Sequence, residues 1–311
     1  MPAFFNGVFG HKPSGGLVPG TGQYPVAGGK ALKYLTTGPL CRDVDDLPFL
    51  TNLMMGPDGK DSGCIEFEHL NNLEEKVKQV DISELTIYYL DSIDSFKLSN
   101  MDDELKESLY SAVNELSKTC KVVNIKELDK FKHLSNAVDI WSCMLHEGNP
   151  VTFRSLMANG DKGFSAIKEF IKWLIIGKTP FTLPGLGLCI VENAPAWFPK
   201  RSQEFIRQGE QLKIEFEELL GTNGVLLCPS HPKIAPKHSY PILTTFNWIY
   251  TGIWNVLLAP ATQVPMGLSK DNLPLGLQVI APNGQDALTL AVSNHLSSKF
   301  GGWIPPHTIT K

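Results

Sequence analysis

At 311 residues the chain can hold one large domain or two smaller ones, and its 42% hydrophobic against 19% charged residues argue for a sizeable core and against disorder. A net charge of −4 without a basic face argues against nucleic acid as a partner. No uncharged apolar run reaches membrane-spanning length, and no cationic segment followed by an apolar core opens the chain. The six cysteines, Cys41, Cys64, Cys120, Cys143, Cys189 and Cys228, are scattered without a C-x-x-C pair, which predicts reduced thiols rather than disulfides or zinc.

Residues 1–40 are dense in Gly and Pro and read as turns around short apolar pieces. "TGPLCRDVDDLPFLTNLMMGPDG" predicts a helix with Asp43 as N-cap, Asp46 three positions on, and Val44, Leu47, Leu50 and Met54 on one face. Gly56-Pro57 ends it. "ELTIYYL" reads as a buried strand, "MDDELKESLYSAVNELSKTC" as an amphipathic helix with Leu105, Leu109, Val113 and Leu116 inward, and "KVVNI" as a second strand. Strand, helix, strand at this spacing predicts a βαβ unit.

Residues 131–220 read as mainly helical. Within them, Phe164, Ile167, Phe170, Ile171 and Leu174 recur at helical spacing beside Lys168 and Lys172. The ordinary expectation is a core-facing helix, and the sharper one an apolar surface at a membrane or a substrate entrance. "FIRQGEQLKIEFEELL" is a charged-outside helix, "GVLLCPSHPKIAP" a strand ending in a Pro-rich loop, and "LPLGLQVIAP" a further apolar strand. "DALTLAVSNHLSSKFGG" closes as a helix with Asp286 at the N-cap and Gly301 as its stop.

Little chemistry is visible at this level. The sequence has no G-x-S-x-G elbow, H-E-x-x-H pair, dinucleotide fingerprint or Walker motif, and no metal or cofactor is expected. "LLCPSHP" puts Cys228, Ser230 and His231 close in sequence, but such neighbours rarely face each other productively.

The opening residues nevertheless carry a pattern. Pro2-Ala3, then Gly10-His11-Lys12-Pro13-Ser14-Gly15, resembles the second half of a signature of the form G-G-S-x-R-x-P-A followed by G-x-K-P-(S/T)-x-G. Gly38, Pro39, Arg42, Val44 and Asp46 match a G-P-x-x-R-x-V-x-D run. Asn255, Pro260, Ala261, Pro265, Gly267, Pro274, Gly276 and Gln278 match a late motif, in which Leu258 replaces the usual glycine. In order and spacing these motifs resemble the amidase signature family, and within it the fatty-acid amide hydrolases.

The resemblance implies an α/β fold, the C-terminal portion of the amidase signature fold with a mixed central sheet flanked by helices, in one incomplete domain over 1–311. It implies hydrolysis of a carboxylic amide by a serine–serine–lysine arrangement, with a small-molecule fatty amide as substrate and membrane-associated, cytosol-facing relatives. In the family pattern the lysine and both serines lie upstream of Pro2-Ala3. No catalytic residue is therefore carried onto this chain; Lys12 is not the family base and Ser14 is not its nucleophile. The expectation is a fragment inactive as a hydrolase, or a short product that binds amide, lipid or a partner without catalysis. By the same resemblance, Phe246, Trp248, Ile249, Tyr250, Thr251 and Trp254 are substrate-cavity candidates, while Arg42, Asp46 and Asn255 give structural support. Arg42 and Asp46 are expected to clamp a helix start.

Overall fold

The computed structural model describes residues 1–24, 28–148, 151–192 and 194–305. Its strands are β1 (Phe9–Lys12), β2 (Leu40–Cys41), β3 (Thr86–Tyr89), β4 (Lys121–Asn124), β5 (Gly224–Pro229), β6 (Ala261–Leu268) and β7 (Pro274–Ile280). They form one sheet in the order β2-β1-β6-β7-β5-β3-β4. β3 runs parallel to β4 and β5, whereas β5–β7, β7–β6, β6–β1 and β1–β2 are antiparallel, so the sheet is mixed as expected.

The helices in chain order begin with α1 (Pro2–Phe5), α2 (Ala31–Tyr34), α3 (Asp46–Met54), α4 (Leu73–Gln79) and α5 (Asp103–Leu116). Then come α6 (Ala137–Gly148), α7 (Phe153–Ala158), α8 (Ala166–Ile176) and α9 (Leu183–Val191). The series closes with α10 (Ala194–Trp197), α11 (Pro199–Leu220), α12 (Ile249–Val256) and α13 (Asp286–Phe300).

Side chains alternate across a strand, so each strand feeds two cores. In β5, Leu226 and Cys228 face the core built with α6, α11 and α12, while Val225 and Leu227 face the one built with α3, α4, α5 and α13. All six residues of β5 are buried, which matches a strand covered on both faces. The βαβ unit β3–α5–β4 forms in register, with Leu105, Leu109, Val113 and Leu116 all buried.

Three local expectations are corrected. β6 is an interior strand between β1 and β7, although no strand is read there from sequence; Pro265 sits where its register slips against β7, a place where the missing N–H is tolerated. α3 starts at Asp46 rather than after Asp43, whose carboxylate instead accepts from the Asp45 N–H. Asp286 is the first residue of α13, not its cap, and its carboxylate serves a buried network described below.

The largest correction concerns α8. Phe164 is buried and Phe170 half-buried, packed with Phe181, Leu186 and Cys189 of the following loop and α9 in a small satellite core. Ile167, Ile171 and Leu174 point to solvent, together with Ile175 and Ile176. The helix is apolar around most of its circumference, so its period alone cannot say which face meets the core.

Candidate functional site

Beyond the carboxyl end of β5 lies a cavity of about 420 Å³, in the usual size range of small-molecule sites. Its polar floor is set by strand register. Gln263 of β6 stands opposite Gln278 of β7, and Gln278 stands opposite Cys228 of β5. Ser230, just past β5, donates its hydroxyl to Gln263 Oε1, and Gln263 Nε2 donates to the Val264 carbonyl at 3.0 Å. Gln278 Nε2 donates to the Tyr250 carbonyl at 2.7 Å and to the Pro229 carbonyl at 3.1 Å. The glutamine thereby ties the first turn of α12 to the sheet, because a buried amide must be satisfied.

The apolar wall comes from α12 and α6. Trp248, Thr251, Gly252 and Asn255 line the cavity at helical spacing of three, four and seven. Trp248 packs edge-on against Trp141 with ring centroids 4.4 Å apart. Gly252 is required here: a Cβ on it would sit 2.5 Å from the Trp248 ring. Leu40 and Ala261 extend the wall.

Of the cavity candidates read from sequence, Trp248 and Thr251 line this space, and so does Asn255, expected only as structural support. Ile249 and Trp254 are fully buried on the opposite face of α12, and Trp254 Nε1 donates to the Tyr250 carbonyl at 2.7 Å. Tyr250 is also core; its hydroxyl accepts from the Ile93 N–H at 3.0 Å, and burial pushes its pKa up to about 12. Phe246 lies outside the cavity, 41% exposed. The signal that separates the two faces is the spacing from Trp248, which lines the cavity as expected.

The expected Arg42–Asp46 clamp is not formed among the described residues. Both side chains are exposed, and the Arg42 guanidinium lies over the Trp303 ring, 4.9 Å from its centre. Support at this end comes instead from a buried network. Asp286 accepts from the Ser14 N–H at 2.8 Å and from the Ser14 hydroxyl, and meets His11 Nε2 at 3.1 Å. His11 Nδ1 reaches Thr262 Oγ1 at 2.8 Å, and the Gly284 N–H donates to Ser14 Oγ at 2.7 Å. Burial raises the Asp286 pKa, but the hydrogen bonds and charge of His11, with those of Ser14, outweigh it and hold the carboxyl below its ordinary value.

"CPSHP" does not assemble a nucleophile and base. Burial pushes the Cys228 thiol far above its usual range, Ser230 is bonded to Gln263, and His231 Nδ1 is taken by the Lys233 backbone at 2.8 and 3.1 Å. Lys12 Nζ donates to the Pro13 carbonyl at 2.9 Å, and Ser14 is fully buried in the network above.

The amidase family profile matches residues 1–290. The chain belongs to the amidase family. Fatty-acid amide hydrolase 2 of Homo sapiens is 38% identical over 312 residues, covering 98% of this chain and 56% of that protein. Fatty-acid amide hydrolase 2-A of Danio rerio is 40% identical over 316 residues, covering 100% and 56%. The chain thus spans little more than half the length of these relatives. Among solved structures, native peptide amidase of Stenotrophomonas maltophilia superposes with a TM-score of 0.66 at 18% identity, over 99% of this chain and 61% of that one. The structure of 6-aminohexanoate cyclic dimer hydrolase gives 0.68 at 16% identity, over 96% and 62%. These structures support the fold alone.

Leu258 stands where the family pattern has glycine, and it adopts a left-handed φ of +61°. Its carbonyl accepts from the Gly15 N–H at 3.0 Å, so the turn after α12 holds the G-x-K-P-S loop even with an unfavourable residue.

Proposed function

We propose that this chain forms the substrate-binding part of a hydrolase acting on amides of long-chain fatty acids. The observation that carries this reading is the pairing of a cavity walled by Trp141, Trp248 and Leu40 with the solvent-facing apolar surface of α8 and α9. An apolar wall contributes about 0.8 kcal/mol for each methylene removed from water, so it selects long acyl chains. The polar floor of Ser230, Gln263 and Gln278 suits an amide head group.

α8 and α9 supply the route for so insoluble a substrate. Ile167, Ile171, Leu174 and Ile175 of α8, with Leu188 of α9, are solvent-exposed. Lys168, Lys172 and Lys178 flank them, the arrangement of a helix that lies in a lipid interface. No helix among the described residues is long and apolar enough to cross a membrane. The reading is therefore peripheral contact, with substrate entering from the lipid.

The chain by itself is a binder in this reading. Ser230, the serine that lines the cavity, is engaged by a glutamine rather than by a base, and the cavity's lysine, Lys12, donates to a backbone carbonyl. A serine hydroxyl without an adjacent base is a weak nucleophile at neutral pH. Incubation of the purified chain with hexadecanamide tests this. Binding without release of hexadecanoate, together with co-sedimentation on anionic vesicles, is the expected result. Absence of binding to both amide and vesicles would overturn it.

A further inference from the structure

The cavity contains a cation that the proposed chemistry does not use. Lys12 is the last residue of β1, pairs across the sheet with Ala261, and lines the cavity with it. Its side chain is partly buried, and its one hydrogen bond goes to the neighbouring Pro13 carbonyl. Among the described residues Lys12 forms no ion pair. The carboxylate that acts on it electrostatically, Asp286, is already committed to His11 and Ser14.

An ammonium group held away from water without a carboxylate partner is unfavourable, and it favours any anion that can reach it. Here burial lowers the Lys12 pKa to about 8, only partly offset by Asp286. Two of its three N–H donors remain for a ligand. On the other side of the same space stand Trp141, Trp248 and Leu40. A cation facing an apolar wall describes the complement of a carboxylate at the end of an alkyl chain.

We infer that Lys12 anchors the carboxylate of an amphipathic acid in this cavity. Two sources share that chemistry: the fatty acid released by amide hydrolysis, and an N-acyl amino acid, an amide that itself carries a carboxylate. In either case Lys12 discriminates by charge where the aromatic wall discriminates by length. The inference deepens the proposed function, since it takes the cavity to be the amide site, and it adds a charge preference which that reading alone does not contain.

Calorimetric titration of the purified chain with dodecanoate, N-dodecanoylglycine and dodecanamide separates the cases. The expected result is that at least one acid binds ten-fold or more tighter than the neutral amide. Dodecanoate as the tighter acid identifies product retention, and N-dodecanoylglycine identifies a substrate class. Lys12→Met removes the preference for acid over amide, and Lys12→Arg keeps it; a thermal melt confirms that both variants are folded. The α-amino group of Met1 also borders the cavity, so an N-acetylated chain is the control, expected to keep the preference. Equal binding of acid and amide overturns the inference but leaves the proposed function standing. A preference that survives Lys12→Met, or that acetylation abolishes, also overturns it, and failure of all three ligands to bind overturns both.

Discussion

α12 and α8 are both short, largely apolar helices, although α8 also carries Lys168, Glu169 and Lys172, and the fold treats them in opposite ways. In α12, Ile249, Ile253 and Trp254 are fully buried, and the one remaining stripe borders the cavity. In α8, Ile167, Ile171 and Ile175 occupy comparable positions and face solvent. The difference lies in their neighbours. α12 packs on α6 and α2 and is bonded to β7 through Gln278. α8 packs mainly on α9, which is too small to cover it. Apolar periodicity states that a face wants to leave water, and only the surroundings decide whether it meets protein or something else.

Substitutions should break this contrast in a graded way. The largest effect is expected from Trp254→Ala, which empties a core position and deletes the bond to the Tyr250 carbonyl; denaturant melts should show a loss of roughly 3–5 kcal/mol. Asp286→Ala comes next, at about 3 kcal/mol, because it leaves His11 and the Ser14 N–H without their buried acceptor. The same group sets an acid dependence. Its folded pKa lies below the ordinary 3.8, so it adds stability above that value and loses it as pH falls further. Melting temperature should drop below about pH 4 in the parent and drop less steeply in the variant.

Gly252→Ala should cost about 1–3 kcal/mol through overpacking, since the new methyl meets the Trp248 ring. It should also weaken binding of long-chain amides by displacing that ring. The smallest effect on stability is expected from the pair Ile171→Ser and Ile175→Ser, within about 0.5 kcal/mol for each exposed site. Vesicle co-sedimentation should nevertheless fall several-fold. A large loss of stability from this pair would instead place the α8 face in a core.

Much of the fold was legible in the sequence because its elements carry their own signals. The β3–α5–β4 unit, β5, β7 and α13 each combine strong period or apolar runs with turn residues at their ends. β1 and β6 were not legible: one lies in Gly-rich sequence, and the other contains a proline at a register slip. The site was legible only in outline. Trp248 and Thr251 line the cavity as read from sequence, but Gln263 and Ser230 emerge only when strand register and the turn after β5 bring them together. Asp286 reads locally as a helix cap, yet its partners lie some 270 residues earlier, where no local rule can find them.

In the proposed function, the cavity takes a long acyl chain against its aromatic wall. Titrating the chain with octanamide, dodecanamide and hexadecanamide tests that directly. Affinity is expected to tighten about four-fold per added methylene until the wall is covered, and to lose most of that slope in Trp248→Ala. Affinity that does not change with chain length would contradict that role.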